Sequence, residues 1–144
     1  MNDPALTLKN LIEKEWDLSN PVKADVYFRI GEPCNLKDRF AVKHYSIEVT
    51  KSSAPIIHQT GARSIFNERI VINVWAHVTP ETEETKEKVF EIRQTIVEKI
   101  KDIIFLNRKS VEGVRFTYLG GDRVFDTLPY LRTLVEVRCT YSHP

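Results

Sequence analysis

The spacing of apolar residues changes several times along this chain, and each change marks an expected element. Leu8, Leu11, Ile12 and Trp16 recur at intervals of three and four, the spacing of one helix face. Asp3 and Pro4 precede them. Asp can accept hydrogen bonds from the free amides of a first turn, and Pro suits a position whose N–H has no partner. Asn20-Pro21 ends the helix, because a residue before Pro is pushed out of the helical region. The period then drops to two. Val22, Ala24, Val26, Phe28 and Ile30 alternate with Lys23, Asp25, Tyr27 and Arg29, which predicts a half-buried strand. Gly31 and Pro33 break it, and residues 34–43 read as loop. Tyr45, Ile47 and Val49 alternate with Ser46, Glu48 and Thr50 as a second strand.

Residues 51–65 fit neither period. They hold Pro55 and Gly61 and also two adjacent isoleucines, Ile56 and Ile57. The expectation is a long irregular loop, a feature uncommon in compact domains and often functional or disordered. Residues 68–78 form the clearest strand. Ile70, Ile72, Val74, Ala76 and Val78 make one row, and Val71, Asn73, Trp75 and His77 a semi-apolar second row, so the strand is central or covered on both faces.

Residues 80–106 predict the main helix, with Thr79 as cap, Pro80 in the first turn and Glu81, Glu83 and Glu84 near its positive end. Val89, Ile92, Ile96, Ile100, Ile103 and Ile104 form its stripe, widened by Phe90, Val97 and Phe105. Lys86, Glu87, Glu91, Glu98, Lys101 and Asp102 make the solvated face. A short strand at 114–119, a Gly120-Gly121-Asp122 turn and an irregular arm at 123–127 follow. Residues 130–141 alternate throughout and predict a long strand whose two faces are both covered, or which meets another chain.

The expected fold is therefore α+β: one domain over residues 1–144, with a mixed, mainly antiparallel sheet of about four to five strands. One long helix and an N-terminal helix pack against it. Composition agrees. The chain has 144 residues, 42% of them apolar and 28% charged, and a formal net charge of +1. That is enough chain for a real core, and the charge balance exerts no broad pull on nucleic acid or anionic lipid. No stretch is long and apolar enough to span a bilayer, and the first residues lack a signal-peptide pattern. Cys34 and Cys139 lie far apart and are expected as free thiols.

Catalytic chemistry has little to stand on. His44, His58, His77 and His143 share no short metal-ligand spacing, and no Cys-x-x-Cys occurs. Ser52, Ser53 and Ser64 sit in no nucleophile elbow, and nothing beside Cys34 would activate it. Gly120-Gly121-Asp122-Arg123 lacks the Lys-Ser/Thr ending of a phosphate loop. Arg29, Arg69, Arg132 and Arg138 alternate with Asp25, Glu68 and Glu136, which predicts cross-strand charge pairs on a solvated face rather than a basic stripe. No catalytic residue, cofactor or metal ligand is expected.

The order of elements resembles the tail terminator family of tailed phages and the related neck and minor tail proteins. The resemblance runs over most of the chain: the N-terminal helix, the strand and extended segment of residues 45–65, and the strand ERIVINVWAHV. After these come the helix TPETEETKEKVFEIRQTIVEKIKDII, the Gly-Gly-Asp turn and the ending YLRTLVEVRCTY. It implies a non-enzymatic virion protein that forms a ring, usually of six copies, on the tail tube and joins it to the head connector. DNA would pass through that ring without specific binding, and the protein would assemble in the host cytoplasm. It also implies that subunit or tube contacts come from the long segment and the sheet edge. The residues expected there are Ser52, Ser53, Ile56, Ile57, His58, Gln59, Arg63, Tyr130, Arg132 and Arg138.

Two other readings remain open. A non-viral α+β module could bind a ligand or single-stranded RNA through Tyr27, Trp75 and the strand arginines. An enzyme could keep an unrecognised site around His58 and Arg63.

Overall fold

Asp3 caps the first helix: its carboxylate accepts the Ala5 N–H at 2.9 Å, and its carbonyl accepts the Thr7 N–H. Helix α1 (Pro4–Ser19) buries Leu8, Leu11, Ile12 and Trp16, the face its spacing predicts. The structure is a computed structural model that describes residues 3–19, 23–29, 45–51, 56–61, 63–78 and 85–143. The strands are β1 (Asp25–Phe28), β2 (Tyr45–Lys51), β3 (Ile56–Thr60), β4 (Arg63–His77), β5 (Arg115–Tyr118), β6 (Arg123–Val124) and β7 (Tyr130–His143). Helix α2 (Thr85–Leu106) lies between β4 and β5 in the chain.

Among the described residues the fold is α+β with a mixed sheet and two helices. The sheet runs β1-β2-β4-β7-β5, with β3 beside β4 and β6 beside β7. β1 and β2 are parallel; every other pair is antiparallel. The five strands predicted by alternation are the five on the main path. The expected count of four to five falls short of the described seven because β3 was read as loop and β6 only as an irregular arm.

Both helices cover one face. Their buried residues, among them Leu8, Ile12, Ile96, Ile100 and Ile104, join one core with Ile47, Val49, Ile70, Ile72, Val74, Val135 and Val137. The rows match the predicted alternation on β2, β4 and β7, since cross-strand partners such as Ile47, Val74 and Thr133 share a face.

Four expectations need correction. Part of the segment predicted as an irregular loop is β3, the turn at Gly61 and the first residues of β4, which starts at Arg63 rather than Glu68. Phe90 and Phe105 do not widen the buried stripe of α2: they are 43% and 62% exposed. Glu68, assigned to a solvated face, is buried, and so is Glu48. Tyr27, offered as an exposed aromatic, is buried too. The predicted features at residues 22, 30–44 and 79–84 lie outside the described residues.

Candidate functional site

At one end of the sheet, β3, the first residues of β4 and the end of β7 form a three-stranded arm. Thr60 pairs with Arg63 across the turn, where Gly61 takes a φ of 61°, a left-handed value that glycine adopts without strain. The ladder continues through Gln59↔Ser64, His58↔Ile65, Ile57↔Phe66 and Ile56↔Asn67. On the other side of β4, Ser64, Ile65, Phe66 and Asn67 pair with His143, Ser142, Tyr141 and Thr140. Phe66 and Tyr141 stack, with ring centroids 5.1 Å apart and planes 8° from parallel. Thr140 Oγ1 donates to Asn67 Oδ1 at 2.8 Å.

The residues expected to make contacts fall into two groups. Ile56, Ile57, His58 and Gln59 are on β3 and Arg63 opens β4, so all five belong to the arm. Tyr130 and Arg132 sit at the opposite end of the β4–β7 ladder, where their partners are His77 and Trp75. Thirteen residues separate Tyr130 from His143, about 40 Å of strand. The two groups therefore do not form one patch. Arg138 lies between them, exposed, opposite Arg69. Ser52 and Ser53 lie outside the described residues.

The far end of the ladder has its own organisation. The Arg132 guanidinium stacks 5.3 Å from the Trp75 ring and 4.8 Å from the Phe125 ring. Tyr130 stacks on His77 at 5.2 Å. Arg93 of α2 is fully buried, pairs with Asp126, and lies 5.0 Å from the Phe90 ring. Val78, Phe90, Leu128 and Leu131 line an apolar cleft of about 440 Å³ there, rimmed by Lys86, Glu87 and Glu91.

The face of the sheet opposite α1 and α2 carries a buried polar hub. Glu48 accepts hydrogen bonds from Tyr27 Oη at 2.9 Å and Asn73 Nδ2 at 2.8 Å, and Arg29 Nε lies 3.2 Å from its carboxylate. These partners neutralise a carboxylate that would be costly to bury alone. On the helix side, Lys51 joins Asp3 to Glu68, 3.6 Å away. The Asp3 hydrogen bond, then the Glu68 charge, hold the Lys51 ammonium above its ordinary range despite an opposing burial effect. Cys139 is a free, buried thiol, and burial with the neighbouring Glu68 charge pushes it up to about 12. A thiol held protonated is a poor nucleophile.

Among the described residues no three His, Cys, Asp or Glu side chains converge as metal ligands, and no helix is long and apolar enough to cross a membrane. What the arrangement offers is strand edges, stacked rings and apolar surface, the materials of protein contacts. Sequence reasoning missed Arg93, Asp126 and Phe125. Only the break in the stripe of α2 at Arg93, between Ile92 and Ile96, could have drawn attention to the first of them. Compared with protein-family models and with characterised proteins, the chain matches none.

Proposed function

We propose that this chain is a non-catalytic structural component of a tailed virus, a tail terminator or neck protein. It assembles as a ring, of six copies in the resembling family, between the tail tube and the head connector. The observation that carries the reading is the β3–β4 arm. It arises from the segment that the resemblance assigns to contacts, and it pairs along β4 at the end of the sheet where β7 also ends. A strand pair at the end of a sheet has backbone edges to offer a neighbour. In this reading the localisation is the virion, the partners are further copies, the tail tube and the connector, and DNA passes without sequence-specific contacts. The test is peptide mass spectrometry and antibody labelling of purified particles. The chain should be found at the tail–head junction in several copies, and tails that lack it would end the proposal.

A second reading draws on the Trp75–Arg132–Phe125 stack: a module that binds a ligand or single-stranded RNA, since aromatic and guanidinium planes accept stacked bases. The burial of Tyr27 removes one of the aromatics it invoked. Filter binding with oligonucleotides tests it. Affinity that falls with salt would support it, and no retention at low salt would remove its RNA form.

A further inference from the structure

We propose that the exposed face of β4, β7 and β5 opposite the two helices binds the phosphate backbone of duplex DNA without reading its sequence. The surface is complete in one copy, so it holds whether or not the chain forms a ring.

Arginines gather on that face. Ile70, Ile72, Val135 and Val137 join the helix-covered core, so alternation turns Arg69 and Arg138 the other way. The register sets Arg69 directly opposite Arg138, and Arg138 opposite Thr117. Arg115 lies two residues from Thr117 along β5, and Arg123 of β6 sits opposite Leu134. Arg69, Arg115, Arg123 and Arg138 are all exposed. On the rows from Asn67 to Asn73 and their partners, Glu136 is the one carboxylate among the described residues of β4, β7, β5 and β6. It is shared: Arg69 Nη1 lies 3.6 Å and Arg123 Nη2 3.4 Å from it. Arg115 and Arg138 have no ion-pair partner among the described residues. Glu48 on β2 does not answer them, because Arg29 already holds it. Like charges directly opposite each other destabilise a sheet, so packing gives no reason for setting Arg69 against Arg138.

The chemistry of the patch selects its occupant. A guanidinium donates two parallel hydrogen bonds to a phosphate and keeps its charge at any working pH. Strands lie about 4.8 Å apart and two residues span about 7 Å, so Arg69, Arg138 and Arg115 stand within roughly 12 Å. That is the reach of about three phosphates along one strand of a duplex. Exposed Thr117 lies among them, a side chain of the kind that adds contacts to phosphate. Among the described residues of these rows there is no aromatic ring. The Trp75–Arg132–Phe125 stack begins six residues further along β4 from Arg69, about 20 Å away. An unpaired base would find no ring beside the arginines, whereas a duplex keeps its bases stacked inside and presents phosphate. The formal net charge of +1 hides the patch because it sums over the whole chain.

Fluorescence anisotropy with a short labelled DNA duplex tests the surface. Log affinity should fall against log salt with a slope of about −3, roughly 40-fold between about 50 and 200 mM salt. Two duplexes of different sequence should bind equally. Arg115→Ala with Arg138→Ala should keep a cooperative unfolding transition, bind more weakly at low salt and reduce the slope by about 2. Lys88→Ala with Lys109→Ala removes the same charge from exposed positions on and after α2, and should leave the slope nearly unchanged. An equal loss in that control would mean diffuse attraction only and overturn the site. No binding at low salt would overturn it too, as would tighter binding of the matching single strand. Binding of polyglutamate in place of the duplex would make the partner an acidic protein and overturn the DNA assignment. A monomer by light scattering that binds the duplex would end the ring reading and leave this surface standing. A closed ring that does not bind it would do the reverse.

Discussion

Arg93 and Asp126 join the main helix to the segment before β7 in a two-pronged pair: Arg93 Nη1 reaches Asp126 Oδ1, and Nη2 donates to Oδ2 at 3.0 Å. Asp126 Oδ1 also accepts the Arg132 N–H at 3.0 Å. One carboxylate thus fixes α2, the turn and β7 together. A guanidinium without exposed surface needs such a partner, because a charge left alone in a core is strongly unfavourable.

Asp126→Ala should therefore destabilise the fold. Removing one partner of a buried pair costs roughly 3–5 kcal/mol. The Asp126 side chain keeps 26% of its exposure, so the expected loss is smaller, about 2–3 kcal/mol. Urea unfolding measures it, and a loss under about 0.5 kcal/mol, the scale of an ordinary surface substitution, would contradict the pairing.

Tyr27→Phe tests the hub at Glu48. The phenol donates to a buried carboxylate at 2.9 Å, and hydrogen bonds to charged groups contribute about 1.5–3 kcal/mol. The variant should lose stability within that range and leave the far-ultraviolet spectrum unchanged. An unfolding midpoint equal to that of the parent would show that the hydroxyl is not needed there.

Cys139 should resist alkylation. Its thiol is buried and is raised from 9.0 to about 12, so little thiolate is present at neutral pH. Iodoacetamide followed by peptide mass spectrometry should find Cys139 unmodified in the native protein and fully modified in denaturant. Rapid modification of the native protein would contradict the burial.

Stability should fall on the alkaline side. Cys139 is raised from 9.0, Tyr45, Tyr118 and Tyr141 from 10.0, and Lys51 and Lys101 from 10.5. Burial is the main cause for the thiol and the phenols, and hydrogen bonds to Asp3 and Asp122 for the two lysines. In every case the folded state holds its proton to higher pH than the unfolded state. The contribution is complete below pH 9, the ordinary value of the first group to titrate, and is lost as pH rises toward 12. Denaturation series across that window should show a monotonic decline, and a rise would reverse the sign of the account.

Alternation and helical spacing made α1, the main-path strands and most of α2 legible, because burial on one side leaves a period in the sequence. They failed where long-range pairing supplied what local pattern lacked. Residues 56–60 mix two isoleucines with His, Gln and Thr and sit close to Pro55 and Gly61, so nothing local marks a strand; β4 defines it by pairing. Charged residues inside the fold were equally hidden. Glu68 read as solvated, and nothing marked Glu48 or Arg93 as buried, since only their partners across the structure make their burial tolerable. Of the candidate site, the segment was legible but its shape was not, and Tyr130 and Arg132 belong to the other end of the sheet.

The proposed ring requires that the chain assemble with copies of itself. Native mass spectrometry of the purified protein, with light scattering across a concentration series, measures this most directly. A discrete closed species of several copies, six in the resembling family, is the predicted result. A protein that stays strictly monomeric up to high micromolar concentration would contradict it.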